Sequence, residues 1–214
     1  MNPEGVNPPA AQPSWAERVN SDRAAEVSLE RDAELMLRVR EGDQASFGFL
    51  LDRHRSPVIH FLYRMVQNQG VAEELAQEVF LRVYKSRSSY EPTAKFTTWL
   101  FRIASHLALN WIRDGRNEKR QASLDEESPD GTAKQVPDRS RTVEQELVYQ
   151  VKLREVRQAI ESLPAKQKAA VMMHKYQEMD YRQIAEVLKL SESATKSLLF
   201  RAYETLRNEL KEFV

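Results

Sequence analysis

The apolar positions of this chain fall at three- and four-residue spacing in one segment after another, the period of amphipathic helices. The clearest stretch is 180–211, DYRQIAEVLKLSESATKSLLFRAYETLRNELK. Asp180 with Gln183 three residues on is a capping-box start. Ile184, Ala185 and Leu188 then repeat at helical spacing, and Ser191-Glu192-Ser193 is a short polar break. Beyond it Thr195, Leu198, Leu199, Ala202 and Leu206 share one arc of a second helix. The opposite arc carries Ser193, Lys196, Ser197, Phe200, Glu204, Arg207 and Lys211, with Arg201 at its edge. Two helices, a tight turn and a basic, hydroxyl-bearing outer face are what a helix-turn-helix DNA reader requires. A solvated amphipathic helix pair in an ordinary helical domain is the alternative on this pattern.

Upstream the same period predicts further helices. Residues 29–41 carry Leu35 and Val39, and Gly42-Asp43 ends that helix and caps the next. Residues 44–55 follow with Phe47, Leu50 and Leu51. Pro57 either opens a third segment over 58–66 or lies within one continuous helix. Asn68-Gln69-Gly70 is a break. Over 71–84, Val71, Ala72, Leu75, Val79 and Val83 form an inner face. A loop over 86–94, marked by Ser88-Ser89 and Pro92, precedes a long helix over 96–115. Its predicted inner face is Phe96, Leu100, Ile103, Ala104, Leu107 and Trp111. Its outer face is Thr98, Arg102, Ser105, Leu109, Arg113 and Arg116, with His106 and Asn110 on one flank. Residues 143–161 and 165–177 are two more helices, with Pro164 at the first position of the second.

The pattern lapses twice. Residues 1–28 are rich in Pro, Ala, Asn and Ser and are expected to be a disordered extension. Residues 121–142 hold few apolar positions, two prolines and an acidic first half, as a linker would. The expected fold is all-α: two small helical domains, 29–120 and 143–214, joined by a flexible linker, the second containing the helix-turn-helix.

Composition narrows the function classes. The 214 residues carry 32 basic and 32 acidic side chains, a formal net charge of zero. That argues against indiscriminate coating of nucleic acid but leaves room for local basic faces. No cysteine is present, so disulfides and thiolate metal sites are excluded. No run approaches the roughly 18 apolar residues of a membrane span. The opening MNPEGVNPPAAQPSW lacks a basic start followed by an apolar block, so no signal peptide and a cytoplasmic protein are expected. The four histidines, His54, His60, His106 and His174, are scattered, and no metal-ligand or phosphate-loop motif occurs. No metal, cofactor or enzymatic activity is expected.

Three faces carry candidate chemistry. On the reader helix, Lys196 and Arg201 can neutralise phosphates or donate to guanine. Ser197 can bond a base or a phosphate, and Phe200 can meet a thymine methyl. On the long helix, residues 95–120 hold six basic side chains against two acidic ones, the footprint of a phosphate backbone. Trp99 and Phe101 could stack on unpaired bases, although Trp99 and Trp111 fit the core better. Over 71–84 the outer face offers Glu74, Gln77, Glu78 and Leu81, together with Lys85. It is either a protein-docking face anchored by Leu81 or a charged surface with a stray leucine.

Four segments, AEELAQEVFLRVY, FTTWLFRIASHLALNWIR, LPAKQKAAVMMHKY and YRQIAEVLKLSESATKSLLFRA, resemble in order and spacing the extracytoplasmic-function sigma factors of bacterial RNA polymerase. The resemblance spans about residues 30 to 212. It implies that Glu74, Gln77, Glu78 and Leu81 bind the clamp of the polymerase's largest catalytic subunit. It implies that Lys95, Thr98, Arg102, His106, Asn110 and Arg113 meet the minus-ten element, with a flipped base held by the loop before them. Ser193, Lys196, Ser197, Phe200 and Arg201 match positions that contact the minus-thirty-five element. The partners implied are core RNA polymerase, including the flap of its second subunit, promoter DNA and an anti-sigma factor, with no membrane insertion. Four positions depart from the usual pattern: His106 where Asn is frequent, Leu198 where Arg is frequent, and Ser193-Ala194 in place of Gly-Thr; the tail before residue 28 is also longer than typical. A stand-alone helix-turn-helix regulator is the alternative, and it would leave the Glu74–Leu81 face idle. A helical adaptor would leave Lys196, Ser197 and Phe200 unexplained.

Overall fold

The computed structural model of the chain describes residues 31–121 and 143–211. The extension and the linker expected from the sequence lie outside these residues, as do the side chains of Arg116, Lys119 and Arg120. Among the described residues the chain is helical and contains no strand. Its helices are α1 (31–40), α2 (Gln44–Val66), α3 (Gln69–Lys85), α4 (Phe96–Gln121), α5 (Val143–Ser162), α6 (Ala165–Tyr176), α7 (Tyr181–Leu188) and α8 (Glu192–Glu209).

Local chemistry sets most boundaries. Gly42, at φ 103°, turns the chain after α1 in a conformation that L side chains resist. Asp43 then caps α2, accepting from the Ala45 and Ser46 amides and, at 2.7 Å, from the Ser46 hydroxyl. These bonds, the hydroxyl's first, hold its carboxyl below the usual range. Pro57 lies inside α2, which runs on as one helix. An interior proline costs about 3 kcal/mol. Burial of Leu50 before it and Val58, Phe61 and Leu62 after it offsets that cost. Asn68 caps α3 through the Val71 amide at 3.1 Å. The capping box at α7 is complete: Asp180 accepts from the Gln183 amide at 2.8 Å and Gln183 from the Asp180 amide at 2.9 Å. Lys189, at φ 53°, closes α7 with the Leu190 amide bonded to the Ala185 carbonyl. Ser191 caps α8, so Glu192 and Ser193 belong to the helix and not to the break. Pro164 is the residue before α6 and not its first helical position.

Helices α1 to α4 form one unit. Met36, Val39, Leu50, Phe61, Val79, Val83, Phe96 and Leu100 are among its buried residues, and Phe61 meets Phe101 edge-on at 5.3 Å. The buried Asp32 ties α1 to α2 by bonding His54 Nε2 at 2.8 Å and pairing with Arg53. Helices α5 to α8 form the second unit around Leu163, Met172, Met173, Ile184 and Leu199. The two units share one continuous buried cluster, with α7 packed on α4 and α6 on α2.

Four α4 assignments change accordingly. Thr98 and Ser105, placed on the outer face by periodicity, are buried. Phe101, offered as a base-stacking residue, is core. Trp111, placed in the core, is 40% exposed. A helix covered on two sides buries more than one stripe, and a single-stripe reading does not register the second cover.

Candidate nucleic-acid interface

The reader helix displays its predicted face. Ser193, Lys196, Ser197, Phe200 and Arg201 are all exposed on α8, while Thr195, Leu199 and Ala202 face inward. Phe200 is 67% exposed although its neighbour Leu199 is 2% exposed. A shallow concavity of about 710 Å³ is lined by Lys196, Ser197, Phe200 and Arg201 together with Tyr181 from α7. Lys196 pairs with Glu192 at 3.1 Å and lies 5.9 Å above the Tyr181 ring. Both contacts restrain a cation that would otherwise sample many rotamers. Ser197 donates to the Ser193 carbonyl at 3.1 Å, leaving its hydroxyl oxygen free to accept.

Behind this face His174 joins three helices. Its ring stacks on Tyr181, with centroids 5.5 Å apart and planes 9° from parallel, and its Nδ1 shares a 2.8 Å hydrogen bond with the Tyr203 hydroxyl. Burial pushes the Tyr203 phenol up, so it remains protonated. Periodicity did not single out Tyr181 or His174. The available signal was Tyr181's place directly after the Asp180 cap, at the mouth of the two-helix turn.

On α4 the predicted residues divide. Lys95, Arg102, His106 and Arg113 are exposed and Asn110 is half-buried. The Asn110 amide nitrogen lies 3.3 Å from His106 Nδ1, and Arg113 pairs with Asp114 at 3.1 Å on the surface. Thr98 does not join them in the open. It is 3% exposed, and its Oγ1 has no hydrogen-bond partner. It lines a cavity of about 210 Å³ with Trp99, Tyr90, Glu91 and Arg102. Buried hydroxyls are nearly always bonded, so an unmet one beside a cavity invites a ligand atom. Trp99 packs at a tilt in a cluster with Tyr90 and Phe96, ring centroids 5.0 and 5.9 Å away. Burial, with the Asp32 charge adding, pushes the Tyr90 phenol up.

The third face lies on α3. Glu74 and Gln77 are exposed, Glu78 is half-buried and paired with Arg82 at 2.6 Å, and Leu81 is 45% exposed. Gln77 and Leu81 line a groove of about 750 Å³ between α3 and α2, whose other wall includes Phe47, Leu51 and Ile59. Glu74 and Glu78 stand outside it. Phe47 and Tyr84, 5.0 Å apart, sit in the groove lining. Periodicity assigned Phe47 and Leu51 to the apolar stripe of their own helix and gave no sign that they open onto α3. An apolar groove with two amides, Gln44 and Gln77, and the charged Arg55 and Glu73 in its lining suits an amphipathic protein segment.

No group of His, Cys, Asp and Glu among the described residues is arranged to hold a metal, and no described helix is long and apolar enough to cross a membrane.

Comparison with known proteins bears on both units. Residues 50–118 match the model of sigma-70 region 2, and residues 153–206 that of sigma-70 region 4. The chain is 30% identical over 178 residues to SigW, an ECF RNA polymerase sigma factor of Bacillus subtilis, covering 81% of this chain and 94% of that one. It is 33% identical over 177 residues to the RNA polymerase sigma factor CarQ of Myxococcus xanthus, covering 83% and 96%. Its fold is similar to that of CnrH in complex with the cytosolic domain of CnrY, at a TM-score of 0.63 and 18% identity over 86% of this chain and 99% of that one.

Proposed function

The chain belongs to the extracytoplasmic-function family of RNA polymerase sigma factors, and on that footing we propose how its three faces divide the work of promoter-specific initiation. It is an initiation factor that supplies specificity, while core polymerase supplies the chemistry. The α2–α3 groove with Gln77 and Leu81 docks on the clamp of the largest catalytic subunit, and Glu74 and Glu78 add charge complementarity at its rim. The C-terminal unit meets the flap of the second subunit. The outward face of α8 enters the major groove at the minus-thirty-five element. Lys196 and Arg201 neutralise phosphates or bond guanine, and Phe200 covers a thymine methyl.

At the minus-ten element the polar flank of α4 tracks the backbone through Lys95, Arg102, His106, Asn110 and Arg113. The cavity beside Thr98 takes an unpaired base. Extruding a base costs a few kcal/mol, and a pocket with an unmet hydroxyl offsets part of that cost. Residues 29–120 and 143–214 then correspond to the two promoter-reading domains and 121–142 to the connection between them. Polymerase and promoter place the protein in the cytoplasm. An anti-sigma factor is the third partner of the reading.

The observation that carries this reading is the outward Phe200 flanked by Lys196, Ser197 and Arg201 on a correctly capped second helix. An exposed phenylalanine in a ring of cations and hydroxyls has no folding role but a direct DNA role. The test is run-off transcription by core polymerase on genomic fragments, including the chain's own upstream region. New start sites should depend on this protein. Identical initiation with and without it would remove the reading.

A further inference from the structure

A cleft of about 680 Å³ lies between α4, the first turn of α6 and the end of α7. Its cations come from four elements. Arg82 of α3, Arg102 and Arg113 of α4, Lys166 of α6 and Lys189 after α7 all line it, and all are exposed. Among the described residues no carboxylate lines it. Two of the five cations have partners that stand outside the lining: Glu78 pairs with Arg82 at 2.6 Å and Asp114 with Arg113 at 3.1 Å. The side chains of Arg102, Lys166 and Lys189 form no ion pair or hydrogen bond among the described residues. The floor is aliphatic: Ile103 and Leu109 are half-buried there and Val187 and Leu188 are buried. At one edge the Asn110 amide nitrogen lies 3.3 Å from His106 Nδ1.

The charge and the floor point to different parts of one ligand. Like charges gathered in one cleft repel each other, and an anion between them removes that repulsion. The guanidinium fork matches phosphate oxygens, and an ammonium serves phosphate as a point charge. Three cations without a counter-charge exceed what one orthophosphate neutralises and suit two linked phosphates. An inorganic anion makes no use of four aliphatic side chains, whereas a base and ribose can lie on them. The volume falls within the range of about 300–1,000 Å³ common to small-molecule sites, which pair an apolar lining with a few placed polar groups. A duplex does not enter such a cleft, since its major groove alone is about 12 Å wide. The walls are held in register by buried packing, with the Ser105 hydroxyl 3.7 Å from Met173 Sδ, so the cations of α4 and of the C-terminal unit face a common space.

We propose that this cleft binds a nucleoside diphosphate or triphosphate. Arg102, Lys166 and Lys189 hold the linked phosphates, the base and ribose lie on the aliphatic floor, and Asn110 offers its amide to the base edge. Arg102, His106, Asn110 and Arg113 are also the residues assigned to the minus-ten element, so bound nucleotide and promoter compete for them. That competition rests on the sigma-factor reading; the binding itself does not.

The test is isothermal titration calorimetry of the full chain at fixed salt with orthophosphate, pyrophosphate, adenosine, adenosine diphosphate and guanosine diphosphate. The diphosphates should bind saturably at one site, roughly tenfold tighter than pyrophosphate because only they use the floor. Orthophosphate and adenosine should not saturate. Lys166→Gln with Lys189→Asn removes two cations from one wall, and asparagine tolerates the φ of 53° at position 189. That variant should bind the diphosphates at least roughly tenfold more weakly, while Lys175→Gln, the same loss of charge on an exposed side chain outside the cleft, should bind as wild type does. Thermal denaturation of each variant checks that the fold is kept. No saturable heat with either diphosphate would overturn the inference, as would equal weakening by Lys175→Gln. Pyrophosphate binding as tightly as the diphosphates would refute the nucleotide and leave a bare anion site. In a polymerase-free anisotropy titration, guanosine diphosphate should also weaken binding of a minus-ten oligonucleotide to wild type and not to the double variant. Nucleotide binding without that competition would uphold the site and refute the minus-ten assignment of α4.

Discussion

Adjacent residues on α8 give the sharpest separation of folding from recognition. Phe200 is 67% exposed, so only about a third of its side chain leaves water on folding. Full burial of a phenylalanine is worth about 1.5–3 kcal/mol, so Phe200→Ala should cost the fold only about 0.5–1 kcal/mol. Leu199 is 2% exposed, and Leu199→Ala should cost about 2–5 kcal/mol through lost burial and the cavity left behind. At the promoter the order reverses. One lost base contact costs about 1–3 kcal/mol, so Phe200→Ala should weaken binding by about 5- to 150-fold. The assay pairs thermal denaturation with a fluorescence-anisotropy titration of a minus-thirty-five duplex at fixed salt. Because the lost group is apolar, the slope of affinity against salt should not move, whereas Lys196→Ala should reduce it by about 1. If Phe200→Ala melts as low as Leu199→Ala, or binds the duplex as wild type does, the phenylalanine has a folding role and the assignment of this face is wrong.

Other perturbations address the remaining faces. Gln77→Ala with Leu81→Ala should weaken core polymerase binding at least tenfold in a pull-down titration while the melting temperature stays within about 2–4 °C, since both side chains are exposed. Thr98→Val removes a buried hydroxyl that has no partner, so stability should hold or rise by up to about 1 kcal/mol while open-complex formation falls; a clear drop in stability would mean that the hydroxyl is bonded within the fold. Lys168 has a folded pKa lowered from 10.5, with burial as the main cause and Glu161 opposing it. The unfolded chain therefore binds its proton more tightly. Its contribution is fully present above pH 10.5 and is lost as pH falls through the lowered folded value, so stability should rise with pH across that window. Lys168→Met should flatten that rise in a series of denaturant titrations, and an unchanged slope would mean the amine is not desolvated.

Much of the site was legible because its determinants are local. The capping box at Asp180, the cap at Asp43 and the reversal after Leu188 are contacts within a few residues, so sequence spacing fixes them, whereas Ser191, read as part of a break, caps α8. The outward arc of α8 followed from helical period alone because one side of that helix is covered and the other is not. Helix α4 was harder for the opposite reason. Its Thr98 and Ser105 are polar, fall on the expected outer arc and are nevertheless buried. Trp111 is apolar, falls on the expected inner arc and is exposed. The α2–α3 groove was half visible: Gln77 and Leu81 stood out as an odd surface, but the opposing wall of Phe47 and Leu51 required knowledge of how two helices cross.

Backbone hydrogen bonding and a 3.6-residue period act over one or two turns, so residue order was enough to read the helices, the caps at Asp43 and Asp180, two helical units and the make-up of the outward α8 face. That Pro57 sits within an unbroken helix, that Thr98 lines a cavity, and that α6 and α7 close over α2 and α4 came from the packing of distant segments. Those outcomes depend on contacts between residues such as Lys168 and Met65, 103 positions apart. Burial between surfaces that distant in the chain leaves no periodic trace in either.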